Sequence, residues 1–144
     1  MPGVKVRCEC SGLKNLYTKL NRAAEYDKFL SSLAKEIAMR LFAAVKKRTP
    51  IGVYPEGSGK TGGTLRRGWS VGSVRKRAGI YEVEVINSVD YASYVENGHR
   101  TRGLKGWVKG RFMLMISEKE IEVKAPAIIE RRIAAKLQEV FNGK

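Results

Sequence analysis

One apolar stripe constrains the fold more than any other feature of the sequence. Between residues 27 and 49 the apolar side chains recur every three or four positions, which is the spacing of one helix face. Asp27 is placed to cap the N-terminus, and Pro50 ends the helix because proline disfavours helical geometry at the residue before it. The sequence therefore predicts a helix that begins after Asp27 and has Lys46, Lys47 and Arg48 in its last turn. Its buried face comprises Leu30, Leu33, Ala34, Ile37, Leu41, Ala44 and Val45.

Alternating segments before and after this helix predict strands. Val4–Cys10 and Ile80–Ile86 both alternate apolar with charged residues, which is the pattern of a strand with one buried face. Leu65–Val74 is predicted as a further strand, which pairs with Ile80–Ile86 in an antiparallel hairpin whose tip is the basic segment 75–79.

The segments between these elements are predicted as loops and short helices. Residues 51–64 hold five glycines and one proline without apolar periodicity, and residues 97–111 are also rich in glycine, so both are predicted to be loops. A short amphipathic helix is predicted over residues 13–22. Residues 90–96 are compatible with one helical turn or with a short extended piece.

The C-terminal third is predicted to be helical. Two helices are expected, over 112–124 and 126–141, with Pro126 in the first turn of the second, where proline is tolerated. The alternative is a strand over 112–116 followed by a helix that begins at a capping box over 117–120.

These elements predict an α+β fold, in which a small, mostly antiparallel sheet packs against a long N-terminal helix and C-terminal helices. The 144 residues are expected to form a single domain over 1–144. The 43% hydrophobic and 29% charged residues are typical of a globular protein rather than a disordered chain. No apolar run approaches the length of a membrane span, and residues 1–10 do not resemble a signal peptide.

The charge balance is the unusual property of the composition. The chain has 28 Lys and Arg but 14 Asp and Glu, a net charge of +14. Between Lys46 and Arg111 the sequence contains 14 basic and five acidic residues, hence a net +9. Such an excess indicates an acidic partner, which is a nucleic acid, an anionic surface or an acidic protein.

The positive charge concentrates at the two glycine-containing loops, where aromatic residues are interleaved. These loops are the predicted sites of contact with other subunits or partners. The candidates are Lys60, Arg66, Arg67, His99, Arg100, Arg102, Lys105, Trp107, Lys109 and Arg111. The aromatics predicted to support them, in the core or at a subunit seam, are Trp69, Tyr91 and Tyr94. The alternative is a solvated charged surface with two tryptophans in the core.

No pattern in the sequence predicts a catalytic or metal site. The Gly-Lys-Thr at 59–61 lacks the preceding strand and following helix of a phosphate-binding loop. Cys8 and Cys10 lie on the same side of the predicted strand, which favours core packing over zinc binding and fits a reducing compartment. His99 is expected to be a solvated loop residue. No enzyme activity, cofactor or metal is therefore expected.

The order of several short motifs resembles a known family. The first helix ends in Lys-Lys-Arg-Thr-Pro over 46–50, and Thr-Gly-Gly-Thr-Leu-Arg-Arg-Gly-Trp follows over 61–69. Val-Asp-Tyr-Ala-Ser-Tyr-Val-Glu-Asn-Gly-His-Arg then occupies 89–100, and Gly-Arg-Phe-Met-Leu occupies 110–114. This arrangement resembles, over most of residues 30–140, the small neck and tail-completion proteins of long-tailed bacteriophages and of related phage-like particles.

The resemblance implies a structural protein of the virion. It implies an α+β subunit that assembles into a hexameric ring between the tail tube and the head connector, either as a tail-completion or terminator protein or as a neck subunit. Tail tube, sheath and neck proteins would be its partners, DNA would pass through the ring, and assembly would take place in the host cytoplasm. The alternative function is that of a small basic nucleic-acid-binding protein, whose binding would depend steeply on salt.

Overall fold

Two long helices and an antiparallel sheet form the body of the fold. The computed structural model describes residues 3–9 and 23–142. Within these ranges the helices are α1 (Ala23–Arg48), α2 (Thr64–Arg67), α3 (Ala92–Asn97) and α4 (Met113–Phe141). The strands are β1 (Gly3–Glu9), β2 (Trp69–Val71), β3 (Arg75–Arg77), β4 (Ile80–Asn87), β5 (Gly98–Arg100) and β6 (Trp107–Lys109). This architecture confirms the predicted α+β class.

β4 is the central strand of the main sheet. It pairs antiparallel with β1, with Val4 opposite Val85, and also antiparallel with β2 and β3. The side chains of β4 alternate between buried and half-buried positions along its whole length. The predicted strands over 4–10 and 80–86 are thus confirmed in their described parts, as is the antiparallel pairing of the preceding segment with β4. The predicted hairpin tip over 75–79 is wrong in extent, because Arg75–Arg77 forms β3 and pairs with β4, which leaves Ala78 and Gly79 as the turn.

The core lies between α1, the inner face of the sheet and α4. The apolar stripe predicted on α1 is buried, apart from a half-buried Ala44, and it packs against the sheet and the first half of α4. Burying one leucine or valine side chain in such a core contributes about 1.5–3 kcal/mol. The largest of the fully buried apolar residues are Tyr81, Leu30, Leu33, Leu41, Met113, Val45, Val83 and Val85.

The start of α1 differs from the prediction. The helix begins at Ala23, so Asp27 lies within the helix and is not its N-cap. The Asp27 carboxylate instead reaches the sheet, where it accepts hydrogen bonds from the Tyr81 hydroxyl and from the Lys76 ammonium, the latter at 2.6 Å. The Asp27 carboxylate, which was predicted to cap its own helix, therefore joins the helix to the sheet instead.

Tyr81 gives this contact a pH dependence. Burial, together with the hydrogen bond to Asp27, raises the pKa of Tyr81 from 10.0 to about 12. Since the folded state holds the Tyr81 proton more tightly than the unfolded chain does, the protonated hydroxyl contributes to the free energy of unfolding. This contribution is complete below pH 10 and is lost as the pH rises through about 12. We expect Tyr81→Phe to lose about 1 kcal/mol at pH 7 and to show a shallower alkaline decline, because Lys76, whose pKa is also raised by Asp27, still titrates.

Urea unfolding between pH 7 and pH 12 measures both effects. Tyr54→Phe is the matched control, since Tyr54 lies in an exposed loop. If the free energy of unfolding fell equally steeply with rising alkaline pH in the wild type and in Tyr81→Phe, the raised pKa of Tyr81 would not be the cause of the decline.

The segment predicted as a strand over 65–74 is mostly not one. Thr64–Arg67 forms the helical turn α2, and the strand β2 is limited to Trp69–Val71. The turn begins after Gly63, whose φ of 91° is readily adopted by glycine, and the Asn87 side-chain amide donates to the carbonyl oxygen of Leu65 at 2.8 Å. This tertiary bond favours the turn over an extended chain.

Residues 97–111 also differ from the prediction of a loop. β5 and β6 pair in a two-stranded antiparallel hairpin, with His99 opposite Val108 and Arg100 opposite Trp107. The helical turn α3 precedes the hairpin directly, which decides between the two alternatives for residues 90–96 in favour of the helix. Strands of three residues are too short to produce a recognisable alternation in the sequence.

The C-terminal third forms one helix rather than two. α4 continues through Pro126, and the predicted division at this residue is wrong. Pro126 is exposed, so the carbonyl that loses its hydrogen bond can meet water, while Ile121 and Ile128 are buried on both sides of it. The alternative of a strand with a following capping box is also wrong, because Ser117 lies inside the helix and donates to the Met113 carbonyl oxygen at 2.6 Å.

Two predictions fall outside the described residues. The helix over 13–22 lies there, as do Cys10 and the side chain of Cys8. Among the helices that the structure describes, none has both the length and the apolar character needed to cross a membrane.

Candidate assembly surface

The Thr-Pro and Leu-Arg-Arg-Gly-Trp motifs meet at the end of α1. The indole Nε1 of Trp69 donates to Thr49 Oγ1 at 2.8 Å, and this hydroxyl donates in turn to the Val45 carbonyl oxygen at 2.7 Å. Arg66 donates from Nη2 and Nε to the Thr49 carbonyl oxygen, at 2.8 and 3.2 Å. Trp69 is therefore a core residue, and Arg66 uses its guanidinium to satisfy a carbonyl at the helix terminus.

Asn87 completes this junction and was missed by sequence reasoning. Its amide donates to the Leu65 carbonyl oxygen, and its Oδ1 accepts the Val89 backbone N–H at 3.0 Å. Gly68 is required beside it, because a Cβ there would lie 2.5 Å from Asn87 Oδ1. The available signal was a polar residue in phase with the buried positions 81, 83 and 85 of β4.

The loop over 51–63 is exposed and connects α1 to α2. Lys60 lies over the ring of Tyr54, with Nζ 5.9 Å from the ring centroid, and Arg67 Nη1 donates to the Gly62 carbonyl oxygen at 3.2 Å. A helix precedes the loop and the four-residue α2 follows it. This is not the strand, loop and long helix of a phosphate-binding site, which agrees with the interpretation of Lys60 and Thr61 as loop residues.

The carboxylate of Glu96 joins the Tyr-Ala-Ser-Tyr-Val-Glu motif to α4. Glu96 is buried, and its two oxygens accept the backbone N–H groups of Leu114 and Met115, each at 3.0 Å. These are among the first N–H groups of α4, which lack partners within the helix. The helix dipole also favours a negative charge at this position. The N-cap residue Phe112 offers no side-chain hydrogen bond, so Glu96 caps the helix from a distance.

Two glycines permit close backbone packing at the base of the β5–β6 hairpin, Gly110 against α3 and Gly98 between the two strands. A Cβ at Gly110 would lie 2.3 Å from the Glu96 carbonyl oxygen, and one at Gly98 would lie 2.5 Å from the Val108 carbonyl oxygen. The backbone of Arg111 also donates to the Val95 carbonyl oxygen at 2.8 Å. The motif residues of this segment thus act as a structural base from which the hairpin projects.

The hairpin carries most of the predicted contact residues on its surface. Leu104 and Trp107 are 72% and 63% exposed, so Trp107 is not a core tryptophan. The cations of the hairpin and of its C-terminal flank are exposed, and none forms an ion pair with another described residue; they are Arg100, Arg102, Lys105, Lys109 and Arg111. Cations without partners beside exposed apolar side chains are available to bind a complementary surface.

Three ring-bearing residues at the base of the hairpin differ in exposure. Tyr91 and Tyr94 are 44% and 59% exposed, so they are not core residues, and their predicted role at a subunit seam stays a prediction. His99 is half-buried in β5 and not a solvated loop residue. Its ring meets that of Tyr94 edge-on, with 6.0 Å between centroids, while its Nδ1 is buried without a hydrogen-bond partner among the described residues.

The structure thus divides the predicted contact residues into two groups. Lys60, Arg66 and Arg67 lie on the 51–63 loop and α2, next to the end of α1, whereas the other candidates, from His99 to Arg111, lie on the β5–β6 hairpin and its C-terminal flank. No hydrogen bond or ion pair between described residues links the 51–63 loop to that hairpin. The described residues contain no cluster of three or more His, Cys, Asp and Glu side chains that could hold a metal ion.

A family model matches this arrangement over residues 14–98. It is the HK97-gp10-like model, described as "Bacteriophage HK97-gp10, putative tail-component". The chain belongs to this family. Comparison with curated proteins and with solved structures gave no match.

Membership in the HK97-gp10-like family confirms the resemblance to phage neck and tail-completion proteins. The protein is a phage tail-related structural protein, and its place is the virion. The match includes the motifs over 46–50 and 61–69 and the motif over 89–100 as far as Gly98, at the start of β5. Most of the hairpin and all of α4 lie beyond it, although the motif resemblance extends to about residue 140.

Proposed function

We propose that this HK97-gp10-like protein is a ring-forming subunit that completes the tail and joins the tail tube to the head connector. The hexameric form, the neck position, the contact with tube or sheath and the passage of DNA all belong to this proposal. In the same proposal, the subunit folds as one domain and assembles in the host cytoplasm.

The observation that carries the proposal is the projecting β5–β6 hairpin. Glu96 and Gly110 tie its base to α3 and α4, while its outer residues expose unpaired cations with Leu104 and Trp107. A projection with a fixed base and with exposed apolar and cationic side chains is suited to a repeated contact between subunits or with a neighbouring ring. A closed ring needs two different faces on each subunit, and the hairpin supplies one of them.

Electron microscopy and light scattering of the purified protein, alone and with tail tubes, test this function. We expect the wild type to form rings or to cap tube ends, and Arg102→Gln/Lys105→Gln to lose this assembly. The matched control is Lys47→Gln/Arg131→Gln, which removes the same charge at two exposed cations without ion-pair partners in the described chain. A wild-type protein that stays monomeric and never joins tubes would contradict the proposal.

The unpaired cations also favour a second candidate, nucleic-acid binding. That function predicts that the protein binds DNA, and that the logarithm of the binding constant falls linearly with the logarithm of the salt concentration. Replacing Arg100 and Arg102 with glutamine would then reduce the slope by about one per lost phosphate contact. Absence of measurable DNA binding at about 50 mM salt would remove this candidate and leave the assembly function untouched.

A further inference from the structure

A groove of about 500 Å³ runs between β1, α1 and α4. Most of its lining is apolar and comes from all three elements, principally Val4, Val6, Ile37, Leu41, Ile121 and Ile129. None of these residues belongs to the β5–β6 hairpin, so the groove is a separate surface of the same subunit.

The groove follows the edge of β1. Four consecutive residues of this strand, Val4 to Arg7, line it, although successive side chains of a strand point to opposite faces. A lining of this kind indicates that the groove runs along the strand edge. Among the described residues β1 pairs only with β4, so its other edge presents backbone N–H and C=O groups that can pair with an added strand.

Two carboxylates border this groove on α4. Glu118 and Glu122 are exposed, line the groove and form no ion pair with a described residue. They lie four residues apart, which places them on one face of the helix. Glu120, between them, differs because it is already bound by Arg48 and Lys124. On the β1 side the groove is lined by two cations, Lys5 and Arg7, which pair with Glu84 and Glu82 of β4 at 3.7 and 2.8 Å. The groove therefore combines an apolar lining, a strand edge, two cations that already have partners and two carboxylates without partners among the described residues.

The β5–β6 hairpin has the complementary properties. It exposes Leu104 and Trp107 beside Arg102 and Lys105, and all three residues of β6 are exposed. An apolar tip flanked by unpaired cations matches the apolar lining of the groove and the unpaired carboxylates on its α4 side, and such complementarity selects one partner over others. The match points to a second copy of this chain as the occupant.

We propose that the hairpin of one subunit docks into the groove of the next subunit in the ring. Leu104 and Trp107 fill the apolar groove, and Arg102 and Lys105 pair with Glu118 and Glu122. A strand of the hairpin also pairs with the free edge of β1 through backbone hydrogen bonds. Because hairpin and groove are different surfaces, the contact repeats head to tail and closes into a ring. This inference rests on the proposed ring-forming function and identifies the contact that builds the ring.

A charge-reversal experiment tests the pairing directly. The hairpin variant is Arg102→Glu/Lys105→Glu, and the groove variant is Glu118→Lys/Glu122→Lys. Each variant alone brings like charges together at every contact, and we expect its self-association to weaken by about 100-fold or more. In an equimolar mixture the two variants can alternate so that every contact joins opposite charges. The mixture is therefore expected to form rings again, as seen by light scattering and electron microscopy.

Glu56→Lys/Glu130→Lys is the matched control, because it reverses two exposed carboxylates without ion-pair partners among the described residues and outside the groove lining. It is expected to assemble like the wild type, and circular dichroism checks that all variants fold. If the wild type forms rings or caps tubes but either reversed variant assembles equally well, or the mixture is not rescued, the docking proposal fails alone. If the wild type never assembles, the proposed function fails with it.

A photo-cross-link provides a second measurement that does not depend on charge. A photoreactive amino acid at position 104, in a mixture of isotopically labelled and unlabelled protein, is expected to link one copy to residues 118–129 of another. Cross-links confined to the same copy, to another protein or to a different surface would overturn the proposal. A groove already filled by residues 10–22 of its own chain would give no cross-link between copies and would also overturn it.

Discussion

Replacing Gly110 with alanine is expected to destabilise the protein by about 3 kcal/mol and to abolish its assembly. Gly110 is buried, and a Cβ there would lie 2.3 Å from the Glu96 carbonyl oxygen and 2.8 Å from the Gly98 backbone nitrogen. Both are backbone atoms, which cannot move aside as a flexible side chain can. The β5–β6 hairpin must therefore separate from α3, and the contact surface loses its position.

The control for this substitution lies in the same hairpin. A Cβ at Gly106 would meet only the Thr101 side chain, at 3.5 Å, which is an ordinary contact. Gly106→Ala is expected to be as stable as the wild type or slightly more stable, because alanine reduces the entropy of the unfolded chain. Urea unfolding and ring formation are measured for both variants. Equal stability of Gly110→Ala and Gly106→Ala would contradict the close packing.

The elements that sequence analysis located correctly are those whose burial is periodic over many residues. The stripe from Leu30 to Val45 repeats for four turns, and β4 alternates over eight residues. Such patterns depend only on local geometry and on a single neighbouring layer, so the sequence contains them in full. The α+β class followed from these two patterns.

The short elements were missed because tertiary contacts form them. α2, β5 and β6 have three or four residues each, which is at most about one and a half periods and too few for a recognisable repeat. Asn87 holds α2 through a bond across 22 positions, and Val95 and Glu96 hold the chain after the hairpin. Contacts between positions this distant leave no periodic trace in the sequence.

Pro126 shows how packing overrides a local rule. Proline removes one helical hydrogen bond and usually ends or bends a helix, at a cost of about 3 kcal/mol. Here apolar residues on the same face before and after it, Ile121 and Ile128, are both buried. Burial of each such side chain contributes about 1.5–3 kcal/mol, so a continuous helix is favoured over two separate ones.

Of the two surfaces that form the proposed contact, only the hairpin could be predicted from the sequence. The basic hairpin is contiguous in the sequence, so counting charges was enough to find it. The groove that we propose as its partner comes from β1, α1 and α4, whose lining residues are separated by up to 125 positions in the sequence. Its carboxylates were indistinguishable from other surface acids until the fold placed them beside an apolar groove.

Replacing Glu96 with glutamine is expected to have the second large effect, a loss of about 2–3 kcal/mol. The wild-type carboxylate accepts two backbone N–H groups at the start of α4, and hydrogen bonds to a charged group contribute about 1.5–3 kcal/mol. Glutamine has nearly the same shape but only one accepting oxygen. Its NH₂ group would face a backbone N–H that also donates, and the favourable interaction of the charge with the helix dipole would be lost.

Urea unfolding measures this loss, and hydrogen exchange locates it. The amides of Leu114 and Met115 are expected to exchange faster in Glu96→Gln, because they lose the acceptor that satisfies them in the folded state. Glu130→Gln is the control, since Glu130 is an exposed residue of the same helix and its change should leave stability and exchange as in the wild type. If Glu96→Gln unfolded like Glu130→Gln, the carboxylate would not be the cap of α4. The structural role assigned to the Tyr-Val-Glu motif would then fail, because the base of the hairpin would not depend on it.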